Sequence, residues 1–521
     1  MCPMDLSATK RQGTRRRLSL VVTCFAGFLA FILFGMAQTN GETTYRFGEP
    51  VEAVSTEKLA NSAESTPRVT QGTFLAVDDT GAKTDDLDVD ESLPVATVPE
   101  TVTTGSSLLS GIRLGRDTEL SMAGEDSPQT YSDEMYQSLR DDLSKDLGSW
   151  KKEGGFEIVP YGILWGSVST ETHPSNIGSA CFWLQPPSET GTVSYVDYRG
   201  TILGTAIEGP EVPLFGNRPV TGKVEFDLQR TLDFENKTTV HLRHCFIEVR
   251  DEEFRLLIGQ TWDVVSPLVP GTLMYNAGWF SGNSGYRRGQ LRGERYFNHS
   301  DWLQTKTEFA LAAPFSADVN IPGAITQKSS SMPMIQGRAA VVFGERGEGG
   351  RPIEMGIASH YVPYKYRLGG ETDEVDSHGI FLDMKVPILE KFGVQGEYFY
   401  GQNLGSLLAN IGEGVNLDPN GQLIGVTGNG GWVSLWYDLT DKSQIKCGWC
   451  VDDPNNNDLI PATASTNLRT RNEHIFGNIS YRLTKQFLVG FEYSHWETEY
   501  RGADEGTSSG NRFDFVSVYG F

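Results

Sequence analysis

An all-β fold, a transmembrane antiparallel β-barrel of about 16 strands preceded by a disordered leader and a short helix, is what three features of this sequence predict. Residues 156–521 alternate apolar and polar side chains with a period of two, segment after segment. The chain ends on a strand pattern in which Phe513, Phe515, Ser517, Tyr519 and Phe521 share one face, and Arg512 and Asp514 share the other. A basic, apolar N-terminal stretch marks the chain for export, and no other window is long and apolar enough for a transmembrane helix. An exported chain of this kind is either soluble beyond the inner membrane or inserted as a barrel. Composition agrees: the hydrophobic fraction is only 38% and glycines number 58, which suits a barrel with a wet interior.

In chain order, residues 1–37 read as a signal peptide. Lys10, Arg11, Arg15, Arg16 and Arg17 precede the apolar run Leu18 to Phe34, and Gly35-Met36-Ala37 supplies the small residues of a cleavage site. An uncleaved anchor is the alternative, because the run sits at the lower edge of what spans a bilayer. Cys24 lies inside the run after Thr23, which does not suit lipoprotein cleavage. Residues 38–155 carry 23 acidic and 10 basic side chains. With so little apolar surface to offset chain entropy, residues 38–130 read as an acidic disordered linker on the periplasmic side. Residues 131–155 differ: Ser132 caps a helix whose first turn holds Asp133 and Glu134 and which runs to about Lys152. Tyr136, Leu139, Leu143 and Trp150 take its a and d positions, with Met135 and Leu147 beside them. They form either a short trimerisation coiled coil or a helix packed on its own barrel.

The barrel domain, 156–521, is clearest at Val220 to Gln229, where Val220, Gly222, Val224, Phe226 and Leu228 alternate with polar partners. The same period appears at Ile380–Val386, Ile475–Leu483 and Phe487–Tyr493. Leu404 to Ile411 has helical periodicity within a loop, and Asp452–Asp458 and Gly502–Asn511 read as turns or long loops. Trp432, Trp436, Tyr398, Tyr400, Tyr493, Trp496 and Tyr500 are girdle candidates, some of which can point into the lumen instead. The closing strand with Phe513, Phe515, Tyr519 and Phe521 resembles the last strand of bacterial outer-membrane barrels, in which the aromatic terminus is read by the barrel-assembly machinery. A soluble β-sandwich edge gives the same alternation.

Between Leu242 and Arg292 the sequence resembles one family. Leu242-Arg243-His244, Leu256-Leu257-Ile258-Gly259-Gln260-Thr261-Trp262 and Gly285-Tyr286-Arg287-Arg288-Gly289-Gln290-Leu291-Arg292 are similar to segments of the DcaP-like porins. Gly396 to Leu404, Gly430-Gly431-Trp432 and Arg469 to Tyr481 continue the match in order. The resemblance implies a trimeric barrel of about 16 strands in the cell outer membrane, contacting outer-membrane lipid. It implies passive diffusion of small hydrophilic solutes, including small anions such as dicarboxylates. Gly289 stands where the family pattern suggests Pro, and Cys245 where it suggests a small residue. The barrel region is net negative, so any preference for anions must come from the charges at the constriction.

Arg287, Arg288, Arg292 and Arg295 cluster closely enough to form a basic wall there, and Arg243 and Lys223 can extend it. The alternative is that they meet lipopolysaccharide phosphates or a neighbouring subunit from an outer loop. Cys447-Gly448-Trp449-Cys450 has redox spacing but follows a strand, where residues three apart face opposite ways. The thiols Cys181, Cys245, Cys447 and Cys450 leave disulfide pairing open. His241 and His244, three apart, are expected on opposite faces, with no third metal ligand near. No local motif marks a nucleophile, no cofactor site is evident, and a net charge of -23 excludes nucleic acid as a partner. A barrel hydrolase and an envelope-anchoring barrel with a plugged lumen remain the competing function classes.

Overall fold

The two-residue period closes on itself. The computed structural model describes residues 150–152, 155–176, 178–228, 239–314, 325–346, 350–368, 370–461 and 466–521. Sixteen antiparallel staves follow in chain order, each paired with the next. They are β1 Phe156–Glu171, β2 in two pieces (Val193–Asp197 and Ile202–Val212), β3 Arg218–Asp227, β4 His241–Arg250, β5 Phe254–Trp262 and β6 Arg287–Ser300. Next come β7 Leu303–Ala312, β8 in two pieces (Ile325–Ser330 and Met334–Phe343), β9 Ile353–Leu368, β10 Glu371–Leu389 and β11 Phe392–Gln402. The last are β12 Thr427–Thr440, β13 Ser443–Pro454, β14 Asn467–Arg482, β15 Phe487–Gly502 and β16 Gly506–Gly520. β16 returns to β1 in register from Gly520 on Ile163 to Arg512 on Glu171. Reciprocal backbone bonds between Gly162 and Phe521, 2.9 and 3.0 Å, draw the final residue into the ladder. Closure leaves no unpaired sheet edge, the condition for strands to cross a bilayer.

The two faces differ as a membrane barrel requires. Outward side chains are apolar and exposed, among them Leu164, Val168, Leu203, Ile247, Ile258, Phe309, Ile357, Ile380, Ile479 and Phe491. On the closing strand Phe513, Phe515 and Tyr519 lie outward and 41–49% exposed, whereas Arg512 and Asp514 are buried on the inner face. No described helix is long and apolar enough to cross a membrane.

Several sequence expectations change. Trp150–Lys152, assigned to the end of the helix, instead form a short strand on Phe156–Ile158. Gly155 precedes that partner strand at φ 78°, a left-handed conformation that glycine adopts without strain. Tyr136, Leu139 and Leu143 lie outside the described residues, as do the signal peptide and the acidic linker. Among the girdle candidates, Tyr400 and Tyr493 face outward and are exposed, while Trp432, Trp496 and Tyr500 are buried on the lumen side. Trp436 also points inward, against the space a Cβ on Gly393 would need. Gly502–Asn511 is not a long loop. β15 and β16 continue to within a three-residue turn, because Thr507, Ser508 and Ser509 pair with Glu499, Thr498 and Glu497 in the ladder. Leu404–Ile411 forms two 3-10 turns, Gly405–Leu407 and Asn410–Gly412, rather than one helix.

The connections at the β1 N-terminal end of the barrel are short. Those at the other end include three loops that fold inward, residues 172–192, 263–286 and 403–426. In loop 263–286 only Pro267, Tyr275 and Tyr286 are more than marginally accessible, and residues 403–416 are buried throughout.

Candidate channel interior

The inner wall is an ionic lattice. Arg255 reaches Glu248 at 2.5 Å and Glu294 at 3.0 Å on the staves to either side, and Arg292 reaches Glu294 on its own stave at 2.7 Å and Glu308 on the next at 2.5 Å. Arg338 then binds Glu308 at 2.6 Å, Glu354 at 2.9 Å and Asp383 at 2.6 Å, while Lys306 binds Glu354 at 3.0 Å. The ladder therefore runs unbroken from β4 to β10 with alternating sign. It follows from the period of two: inward positions of neighbouring strands share one wall, where long arginine and lysine side chains reach acidic residues on their own, the adjacent or the next-but-one strand. A barrel whose interior must stay hydrated can hold such a lattice, where a dry core could not.

The six basic candidates separate accordingly. Arg292 is spent in this ladder. Arg243 is buried between Glu225 at 2.6 Å and Asp227 at 3.1 Å, and Lys223 pairs with Glu225 at 2.9 Å from a partly exposed position. Arg288 is fully buried, bound to Asp263 at 2.6 Å and to the Ser406 carbonyl at 2.8 Å. Arg295 is not a lumen residue. It shares the outward parity of Leu291 and Gly293, is half exposed, and pairs with Glu253 in the adjacent turn at 2.6 Å. Arg287 is the exception among the buried ones: although it shares the parity of Arg295, at the start of β6 it is 2% exposed, its guanidinium lies over Trp262 at 4.7 Å and Tyr286 at 5.4 Å, and its Nε and Nη1 have no hydrogen-bond partner among the described residues.

A bulge, invisible in the sequence, organises this wall. β3 and β4 slip register between Glu225 and Phe226, so that His244 stands opposite Glu225, Leu242 opposite Phe226 and His241 opposite Asp227. The extra residue is Arg243, which turns inward with both histidines. The expectation that His241 and His244 face opposite ways is therefore wrong. His241 Nδ1 meets Asp227 at 2.9 Å and its Nε2 meets the Tyr286 hydroxyl at 3.1 Å, while His244 Nδ1 meets Thr261 at 3.1 Å. Tyr275, from loop 263–286, hydrogen-bonds both Arg243 and Asp227. Lys223, His241, Tyr275 and Tyr286 are only partly covered, so this wall keeps contact with solvent in front of Arg287.

The inward loops meet in an aromatic knot of Trp183, Trp262, Trp279, Phe280, Leu408, Ile411 and Tyr500. Two backbone bonds join loops 263–286 and 403–426: Phe280 N–H to Leu408 O, 3.0 Å, and Gly285 N–H to Leu407 O, 2.7 Å. Arg469 lies 4.0 Å over the Trp183 ring. The hydrophobic stripes of these loops are the signal that marks them as packed rather than solvated.

The remaining candidates are the cysteines, the metal-ligating types and the serine–histidine contacts. Among the described residues the four cysteines are free; Cys245 and Cys447 are exposed and Cys181 and Cys450 buried, and burial pushes the Cys181 thiol up. No described cluster suits a metal ion. Two buried serine–histidine contacts exist, Ser281 with His474 at 2.8 Å and Ser377 with His360 at 2.9 Å. In each the far ring nitrogen has no partner, so the carboxylate that would orient a catalytic base is lacking there.

Comparison with solved structures bears on the fold. The outer-membrane channel DcaP of Acinetobacter baumannii matches with a TM-score of 0.59 at 16% identity, over 71% of this chain and 99% of that one. The barrel is DcaP-like in fold. OprB of Pseudomonas putida matches with a TM-score of 0.45 at 11% identity, covering 76% of this chain and 99% of its own. An anion-selective porin from Comamonas acidovorans gives 0.43 at 12%, covering 70% and 100%. No protein-family model matches the chain, and no curated protein does. The similarity to DcaP meets the resemblance seen in the sequence at the level of architecture: 16 strands, closed, antiparallel.

Proposed function

We propose that this protein is an outer-membrane porin, without enzymatic activity, through which small hydrophilic solutes diffuse passively. The observation that carries this reading is a 24-residue loop, 263–286, folded inside a 16-stranded barrel with a charged inner and an apolar outer wall. Such a loop narrows a lumen without closing the sheet around it, and the charges facing it then sort what passes. Residues 1–37 act as a cleaved signal peptide, the acidic leader stays in the periplasm, and the closing strand ending in Phe521 is read by the assembly machinery. The protomers form a trimer, as the resemblance to DcaP-like porins implies, with Tyr136, Leu139 and Leu143 contributing to its helix.

Small organic anions, dicarboxylates among them, are the favoured solutes because Arg287 alone of the six basic candidates makes no ion pair with a described residue. Its stacking on Trp262 and Tyr286 holds the cation in place. Lys223 and His241 stand at the partly open approach. The test is uptake into proteoliposomes of a dicarboxylate, a neutral sugar and a diamine of similar size. Faster entry of the dicarboxylate supports the assignment, and faster entry of the diamine refutes it. The packed state of residues 403–416 favours a second reading, a closed anchoring barrel, in which none of the three enters.

A further inference from the structure

Residues 266–273 of loop 263–286 belong to no described strand, so their backbone polar groups need partners outside a ladder, and the wall supplies several. Two inward pairs supply them. Glu397 on β11 accepts the Leu268 N–H at 2.7 Å and the Ser266 hydroxyl at 2.5 Å, while Gln395, two residues earlier, donates to the Val269 carbonyl at 2.9 Å. Glu492 on β15 accepts the Leu273 N–H at 2.7 Å and the Thr272 hydroxyl, while Asn478, opposite it on β14, donates to the Gly271 carbonyl at 2.8 Å. The design is the same twice: a carboxylate takes one N–H and one O–H of the loop, and a neighbouring amide takes a carbonyl.

Neither carboxylate has an ion pair among the described residues, although Glu397 is 5% and Glu492 0% exposed. Burying a carboxylate without a counter-ion is costly, and two of the three donors that offset the cost at each of these come from the loop. A carboxylate does offer two strong acceptor oxygens that can each take a different donor, which a glutamine side chain cannot. We propose that Glu397 and Glu492 are positioning residues that set the aperture of the channel by bracketing residues 266–273 of the loop. The inference rests on the porin reading above.

The experiment compares the full-length protein with the double variant E397Q/E492Q in two ways. One is single-channel recording in planar bilayers, and the other is hydrogen exchange at the Leu268 and Leu273 amides, which reports on the loop whether or not the protein conducts. The expected result is a larger and noisier conductance, entry of larger sugars, and accelerated exchange at those two amides, with heat-modifiable migration of the barrel retained. S266A/T272V, which deletes the loop hydroxyls and leaves both carboxylates in place, should move the same readouts in the same direction. Combined with E397Q/E492Q it should add little, because both pairs break one contact. A conducting wild type whose conductance and exchange are unchanged in both double variants overturns the inference and spares the porin. A silent wild type overturns the porin reading and the aperture role with it, and unaltered exchange would then also remove the bracket.

Discussion

Arg338→Ala tests whether the ionic lattice holds the barrel together. The guanidinium is 3% exposed and meets three carboxylates: Glu308 at 2.6 Å, Glu354 at 2.9 Å and Asp383 through two bonds of 2.6 and 3.0 Å. Deleting it leaves Glu308 with Arg292 and Glu354 with Lys306, but strips Asp383 of both Arg338 bonds. Breaking one partner from a buried pair costs about 3–5 kcal/mol, and some water entry at this wall argues for the lower end, about 3 kcal/mol. The assay is urea unfolding of the folded protein followed by tryptophan fluorescence and by heat-modifiable gel migration. Arg338→Ala should lower the midpoint, and adding Asp383→Asn should restore part of the loss, since the stranded charge is gone. A coupling of about 0.5–3 kcal/mol between the two sites is expected. If Arg338→Ala leaves the midpoint unchanged, or the double variant is simply the sum of the singles, the lattice does not carry this stability.

Three further outcomes follow from individual contacts. Gly282, at φ 103°, has the Gly431 carbonyl oxygen 2.2 Å from where a Cβ would sit, so Gly282→Ala should displace loop 263–286 and destabilise by about 1–3 kcal/mol, read by the same unfolding assay. A membrane-permeant maleimide should label Cys245 and Cys447 in the folded barrel and spare Cys181 and Cys450 until it is unfolded, as site-resolved mass spectrometry would report. Arg287→Ala should shift the reversal potential under a salt gradient toward cations, whereas Arg295→Ala, on the outer face, should leave it unmoved.

The strand count and the sidedness of most strands were legible because the lipid face demands an apolar residue at every second position. Val220, Val224 and Phe226 announce their face without any knowledge of a partner. Register was not legible. The slip that turns Arg243 inward beside His244 exists only in the pairing of β4 with β3, and a count along one strand cannot reveal it. Arg295 was misplaced for a related reason: the four arginines are close in sequence, but Arg295 falls on the outward parity of β6 with Leu291 and Gly293, whereas Arg287, of that same parity at the start of the strand, is buried against Trp262 and Tyr286. Tryptophans were ambiguous because an indole suits both a membrane interface and a packed lumen, and here Trp432 and Trp496 pack beneath the inward loops. Glu397 and Glu492 carried no local signal at all, since what they hold lies more than a hundred residues away in the chain.

The most direct test of the account is single-channel recording of the purified protein in a planar bilayer. Stepwise conductance in groups of three, each step alike, is the predicted result for a trimer of open barrels. Correctly folded protein that leaves the bilayer silent would contradict it and make the barrel an anchor with a sealed lumen.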